Sequence, residues 1–242
     1  MPASAYRQIR RISSSASSPL FVDFDKNTAH STDWQLRMEL LCCDCEQLFS
    51  KNGENAMARL WANDEAFPLL EKLNACASAC VFKDRTSYPV EKIESGVLNT
   101  LQYFGASVIW RSHFWDHGKN PSHSGSLGLH YERVFREYLL GRHKSMPGVK
   151  VLVIINTNDA LNGYFSLPYH GRTGSVFFHK FNVLGVYFNF IIGARLPAGI
   201  SAPFKKFETD CLIMSADMAE APQIQDLGAR SLRVEMRGLR VD

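Results

Sequence analysis

The stretch "EKIESGVLNTLQYFGASVIWRSHFW", residues 91–115, decides the fold. Ile93, Val97, Leu101, Phe104, Val108 and Trp115 recur at the steps of one helix face. Leu98, Ile109 and Trp110 widen that face beyond a single stripe. A stripe this wide needs two neighbours, so the spacing predicts a central helix held between a second helix and a sheet. The second helix is "LHYERVFREYLLG" (129–141), which offers Tyr131, Val134, Phe135, Tyr138 and Leu139 as the opposing face and stops at Gly141. The segment between them, "DHGKNPSHSGSLG" (116–128), is rich in turn residues and reads as an exposed loop.

Beyond residue 148 the character changes. "VKVLVII", "GYFSLPY", "GSVFFHKF" and "LGVYFNFIIGA" are β-branched and aromatic runs punctuated by Gly, Asn and Pro. With "DCLIM" (210–214) they predict an antiparallel sheet from about 149 to 215. The tail "SLRVEMR" alternates apolar and charged residues and favours a further strand.

On the other side of the central helix the pattern is more broken. "ASAYRQIRRI" reads as a short basic helix and "SSSASS" (13–18) as a linker. "PLFVDFD" reads as a short strand, and "MELL" (38–41) as a strand or an extended lead into three cysteines. From Cys45 to Trp61, Leu48, Phe49, Met57, Leu60 and Trp61 leave a helical face, weakened in its middle by Gly53. Pro68 interrupts the pattern further on. A boundary falls near residue 90, with an N-terminal arm and cysteine-bearing segment over 1–90 and an α+β body over 91–242.

The bulk numbers exclude several classes. The chain has 242 residues, 45% hydrophobic and 21% charged, an ordinary globular composition. A net charge of +3 is too small to argue for nucleic acid by itself. No apolar run of membrane-spanning length occurs, so no membrane partner is expected. Three of the six cysteines fall within 42–45, unlike a spaced disulfide framework. That clustering points to a reducing, cytoplasmic setting.

Those cysteines, Cys42, Cys43 and Cys45 in "LLCCDCEQLFSKNGENAM", admit three readings. Cys42 and Cys45 have the CxxC spacing with which two thiolates grip one zinc from a tight turn at a helix start, as in a treble clef. A structural zinc needs four ligands, and no second CxxC exists in the chain, so this is half a site. The same spacing suits a redox dithiol, although Asp44 and Glu46 would raise the thiol pKa values. Cysteine also packs as a small hydrophobe with no further role. His113 and His117 lie one helical turn apart and could complete a Cys2His2 set, but a helix-end pair beside a loop fits them as well. Cys76 and Cys80 would share a helix face if that segment were helical. Arg111 suits a phosphate or a carboxylate anchor. There is no glycine-rich phosphate loop and no GxSxG.

The block at 40–57 resembles the pattern LLCxxCExxFSKxExxF of a family of uncharacterised bacterial proteins often labelled HNH-endonuclease-like. "ASVIWRSHFW" (106–115) resembles that family's ALSVxWRAS, and "SLGLHYERVFREYLLG" (126–141) its SLGPYExxFRxYLLG. "MPASAYR" fits the part of its opening that begins at a proline. The resemblance covers residues 2 to 141 and implies a treble-clef zinc site and an activity directed at nucleic acid. Carried over residue by residue, it retains only Cys42 and Cys45 as metal ligands. The family's first CxxC and its catalytic histidine would precede Pro2, so no catalytic residue is carried over and nuclease activity is not expected of the chain as written. The expected fold is therefore α+β: a partial treble-clef-like N-terminal segment, then two long helices packed on an antiparallel sheet. The alternative to a zinc-binding, nucleic-acid-directed protein is a non-enzymatic scaffold or interaction domain.

Overall fold

A computed structural model of the chain describes residues 3–12, 20–23, 28–31, 39–76, 80–82, 85–115, 125–221, 224–225, 229 and 235–236. In chain order the elements are α1 (Ala3–Ile12), β1 (Leu20–Asp23), β2 (Thr28–Ser31), α2 (Cys43–Phe49), α3 (Asn55–Met57), α4 (Pro68–Asn74), β3 (Cys80–Phe82), β4 (Arg85–Tyr88), α5 (Ser95–His113), α6 (Gly128–Leu139), β5 (Val149–Asn156), β6 (Tyr169–Thr173), β7 (Val176–Val183), β8 (Val186–Ile192), α7 (Ala198–Lys206), β9 (Cys211–Ala216) and β10 (Glu235–Met236). A π-helical turn, Ser50–Glu54, joins α2 to α3. The fold class is α+β.

Seven strands form the main sheet in the order β3-β4-β9-β5-β8-β7-β6. β5 and β9 run parallel, and the other neighbours antiparallel. The sheet is thus mixed, which corrects the expectation of an antiparallel one. The physical reason is the strand order: β8 runs antiparallel to β5, and α7 carries the chain from the end of β8 past β5 to the start of β9, so β9 reverses direction again and lies parallel to β5. Strand composition reports burial, not direction. β3 and β4 also extend the sheet with residues from before position 90. β1 and β2 pair antiparallel, and β10 joins β2 in parallel.

The period-two alternation of β5 and β8 gives the sheet its inner face. Val149, Val151, Val153 and Ile155 point to the same buried side as Val186, Phe188, Phe190 and Ile192. α5 lies on this face, with Leu101, Phe104 and Ile109 wholly buried. Contact is closest at Gly105, where an added Cβ would stand 2.7 Å from the Phe190 ring. Phe104 meets Phe181 and Phe188 at ring-centre distances of 6.2 and 5.8 Å. α6 packs beside α5, and its Phe135 reaches Phe190 at 5.7 Å. The wide stripe of α5 therefore touches both the second helix and the sheet, as its spacing predicts. Gly141, with φ of +71°, ends α6 in the left-handed conformation that glycine adopts without strain.

The same core takes in residues on both sides of the expected boundary near 90, from Ala5 and Ile9 of α1 to Ile213 of β9. Pro68 starts a helix rather than breaking one, because the first turn has no use for its missing N–H. On the outer face, α7 sets Phe204 against Val176, Ile191 and Leu212. Nothing in the sequence reading anticipates α7, whose nine residues include Pro203. Among the described residues, no helix is long and apolar enough to cross a membrane.

Candidate functional site

Cys42 caps α2 with extended backbone, φ −69° and ψ 163°, and the helix proper begins at Cys43. Asp44 and Glu46 in the first turn suit the positive end of the helix dipole, which favours a start here. Cys42 and Cys43 are exposed, and Cys45 is partly buried. No strict capping hydrogen bond closes on the Cys42 sulfur. Even so, the Cys45 N–H and then the Cys45 thiol act on it, helped by the Asp44 N–H, and together they pull the Cys42 thiol below its ordinary value. The Asp44 carboxylate opposes them and loses. The Cys45 thiol, hydrogen-bonded to Cys42, is held above its ordinary value. The pair therefore works as one unit, in which Cys42 gives up its proton before Cys45 does. At Cys42 this reverses the balance expected from the flanking acids, because N–H groups at a helix start outweigh one carboxylate, whereas Cys45 is raised, the direction expected.

The helix carrying this pair is anchored to α5. Phe49 meets Tyr103 and Trp110 edge-on, at 6.0 and 5.9 Å. The π turn brings Gly53 against Tyr103, where an added Cβ would stand 3.2 Å from the ring. It also presents Glu54 to Arg111, with 2.7 Å between Oε1 and Nη1. Arg111 further donates through Nε to the Ser107 carbonyl at 3.2 Å, and its guanidinium carbon lies 5.9 Å from the Phe49 ring centre. Of the two uses open to Arg111, the geometry selects the carboxylate anchor. Trp110 Nε1 donates to Glu132 of α6 at 3.1 Å. Three of the four stretches quoted for their resemblance, 40–57, 106–115 and 126–141, thus converge on one helical layer.

His113 is drawn into that layer too. Its Nδ1 accepts the Leu127 N–H at 3.1 Å, and burial pulls its pKa down. A neutral imidazole that accepts at Nδ1 carries its proton on Nε2, which leaves no lone pair for a metal. His117 and His123 lie outside the described residues. Among the described residues, no group of three or more His, Cys, Asp or Glu could hold a metal ion. Cys42 and Cys45 fit one edge of a zinc site and do not fill it.

The other cysteines do not join them. Cys76 directs its thiol to the Lys72 and Lys92 carbonyls, Cys80 begins a strand and so shares no helix face with it, and Cys211 is fully buried with its thiol pushed up to about 12 by desolvation. His170 and His179 stack across β6 and β7 with ring centres 5.6 Å apart.

A polar cluster that the sequence reading missed closes the carboxyl ends of the parallel strands. Asn156 Nδ2 donates to Asn162 Oδ1, and Asn156 Oδ1 accepts from the Met218 N–H that follows β9. Asn158 donates to the Asp217 carboxylate. The signal was present in "NTNDALN", whose Asn and Asp side chains imitate backbone turns. Here they tie two loops together.

No family model matches the chain, and neither a curated protein nor a solved structure matches it as a relative. Fold and site together define a class, an α+β protein with a partly exposed thiol pair at a helix start, and nothing narrower.

Proposed function

We propose that the chain is a metal-binding, nucleic-acid-directed protein of the HNH-like kind, without nuclease chemistry of its own. The observation that supports this best is the paired Cys42 and Cys45 at the start of α2, with Cys42 already biased toward the thiolate that zinc requires. Two thiolates leave two coordination positions open, so tight binding would need further ligands from outside the described residues or from a second chain. The nucleic-acid half of the proposal rests on the resemblance in residues 2–141.

Cobalt, which reports thiolate ligands by colour, tests the metal. Added to reduced protein, it should give a thiolate charge-transfer band that Cys42→Ser and Cys45→Ser each abolish. A gel-shift series with single- and double-stranded DNA tests the partner. A colourless cobalt titration overturns the metal reading, and an absent shift at low salt overturns the nucleic-acid reading.

A second reading has its own observation. The opposed shifts of the two thiols are also what a redox dithiol needs, with an attacking Cys42 and a resolving Cys45. Reversible oxidation to a Cys42–Cys45 disulfide, seen as the loss of two titratable thiols without a dimer, would favour it over metal.

A further inference from the structure

α7 covers only part of the sheet's outer face. Beside it, one cross-strand row runs Tyr169, Lys180, Asn189, one residue from each of β6, β7 and β8. Adjacent strands lie about 4.8 Å apart, so these side chains stand next to one another. Lys180 is partly buried, and desolvation moves its ammonium downward; among the described residues no carboxylate forms an ion pair with it. Its Nζ lies 5.4 Å from the centre of the Phe178 ring. Asp210, an acid at the edge of this face, is engaged by Lys150. The next residue in the row, Asn189, keeps its Oδ1 buried with no hydrogen-bond partner. On the other side, burial holds the hydroxyls of both Tyr169 and Tyr187 above the ordinary value, and the hydrogen bond between them offsets only part of this at Tyr169. Tyr169 is 41% exposed, and a phenolic hydroxyl that shares one hydrogen bond can take part in a second with an outside group.

A half-desolvated cation without an anion is costly, and so is a buried acceptor without a donor. Both sit side by side here. One group that brings an anionic oxygen together with a proton donor relieves both. A carboxylate has no such donor, and neither does a phosphodiester. A phosphomonoester carrying one proton has P–O⁻ for Lys180 and Tyr169 and P–OH for Asn189. We propose that Tyr169, Lys180 and Asn189 form a binding site for a phosphomonoester group. The site shares no residue with the thiol pair and stands or falls without it. Its ligand is either a phosphorylated small molecule or the 5′-phosphate end of a nucleic acid.

Calorimetric titration of the whole chain at pH 6, where about half of a phosphomonoester keeps one proton, tests this. The probes are glycerol phosphate, a 5′-phosphorylated dinucleotide and dimethyl phosphate. Glycerol phosphate should bind saturably and at least about tenfold more tightly than dimethyl phosphate, and Lys180→Met should weaken it by about ten- to a hundredfold. Asn189→Leu should erase the preference for monoester over diester, and Tyr169→Phe should weaken both. Thermal midpoints of the three variants establish that they fold. A dinucleotide that binds well above glycerol phosphate identifies the nucleic-acid end as the source, and equal binding identifies a small molecule. Monoester and diester bound alike, or Lys180→Met bound as well as the parent, overturns the proposal.

Discussion

Cys42 and Cys45 are chemically the same residue, separated in behaviour by where the helix begins. The N–H groups of the first turn face Cys42, whereas Cys45 sits inside the turn, keeps its proton and donates a hydrogen bond to its neighbour. The sign of the consequence is definite. A thiol lowered by folding is ionised at a pH where the unfolded chain keeps it protonated. Alkylation of Cys42 in native protein should therefore reach half its maximal rate at lower pH than in denaturant, with peptide mapping to assign the site. Cys45→Ala removes a donor and should move that midpoint up. A native midpoint at or above the denatured one would refute the arrangement. Metal content follows from the same count of ligands. A complete zinc set is worth about 10–16 kcal/mol in peptide sites, and half a set retains far less. Elemental analysis of the purified chain should find zinc well below one per chain. Stoichiometric zinc that resists chelators would mean that the missing ligands are supplied, and crosslinking would then ask whether a second chain supplies them.

At the scale of elements, α5 was legible and α7 was not, for one physical reason. α5 repeats its apolar residues over five turns against a sheet and a helix at once, so burial is written at helical spacing along it. α7 has nine residues, a proline within, and its buried positions Ser201 and Phe204 make no such pattern. The CxxC was legible as a spacing, but the balance of charge around it was not, because the N–H groups that lower Cys42 are absent from any list of side chains. The π turn is a similar case. Gly53 reads as a weak point of a helix, whereas it allows Tyr103 to approach and delivers Glu54 to Arg111. Two substitutions on α5 separate packing from close approach. Leu101→Ala should destabilise by about 2–5 kcal/mol, the range for large-to-small changes in a core. Gly105→Ala adds a methyl where Phe190 already stands, and should cost about 1–3 kcal/mol through overpacking. Denaturant melts read both. A Gly105→Ala protein as stable as the parent would mean that the helix–sheet contact is looser than its geometry.

For the whole molecule, the question is whether the chain unfolds in one step or two. A division near residue 90 would let the first part melt by itself. The buried contacts run across it: Ala5 and Ile9 of α1, Phe49 and Trp61, α5, and the strands through Ile213 belong to one cluster of apolar side chains. β4, from the first part, pairs with β9, near the end of the second. A structure joined this way has no seam along which half of it can open cheaply, so heat or urea should unfold it cooperatively. The sharpest test is the arm. Arg7 is exposed, and Arg7→Ala should change stability by less than about 0.5 kcal/mol. Ile9, two residues on, is 5% exposed, and Ile9→Ala should cost about 2–5 kcal/mol. If one cooperative unit holds both parts, Ile9→Ala and Leu101→Ala will lower a single midpoint seen alike by far-ultraviolet circular dichroism and tryptophan fluorescence. If the arm is instead a separate layer, Ile9→Ala will leave the main transition in place and produce an earlier one in dichroism alone.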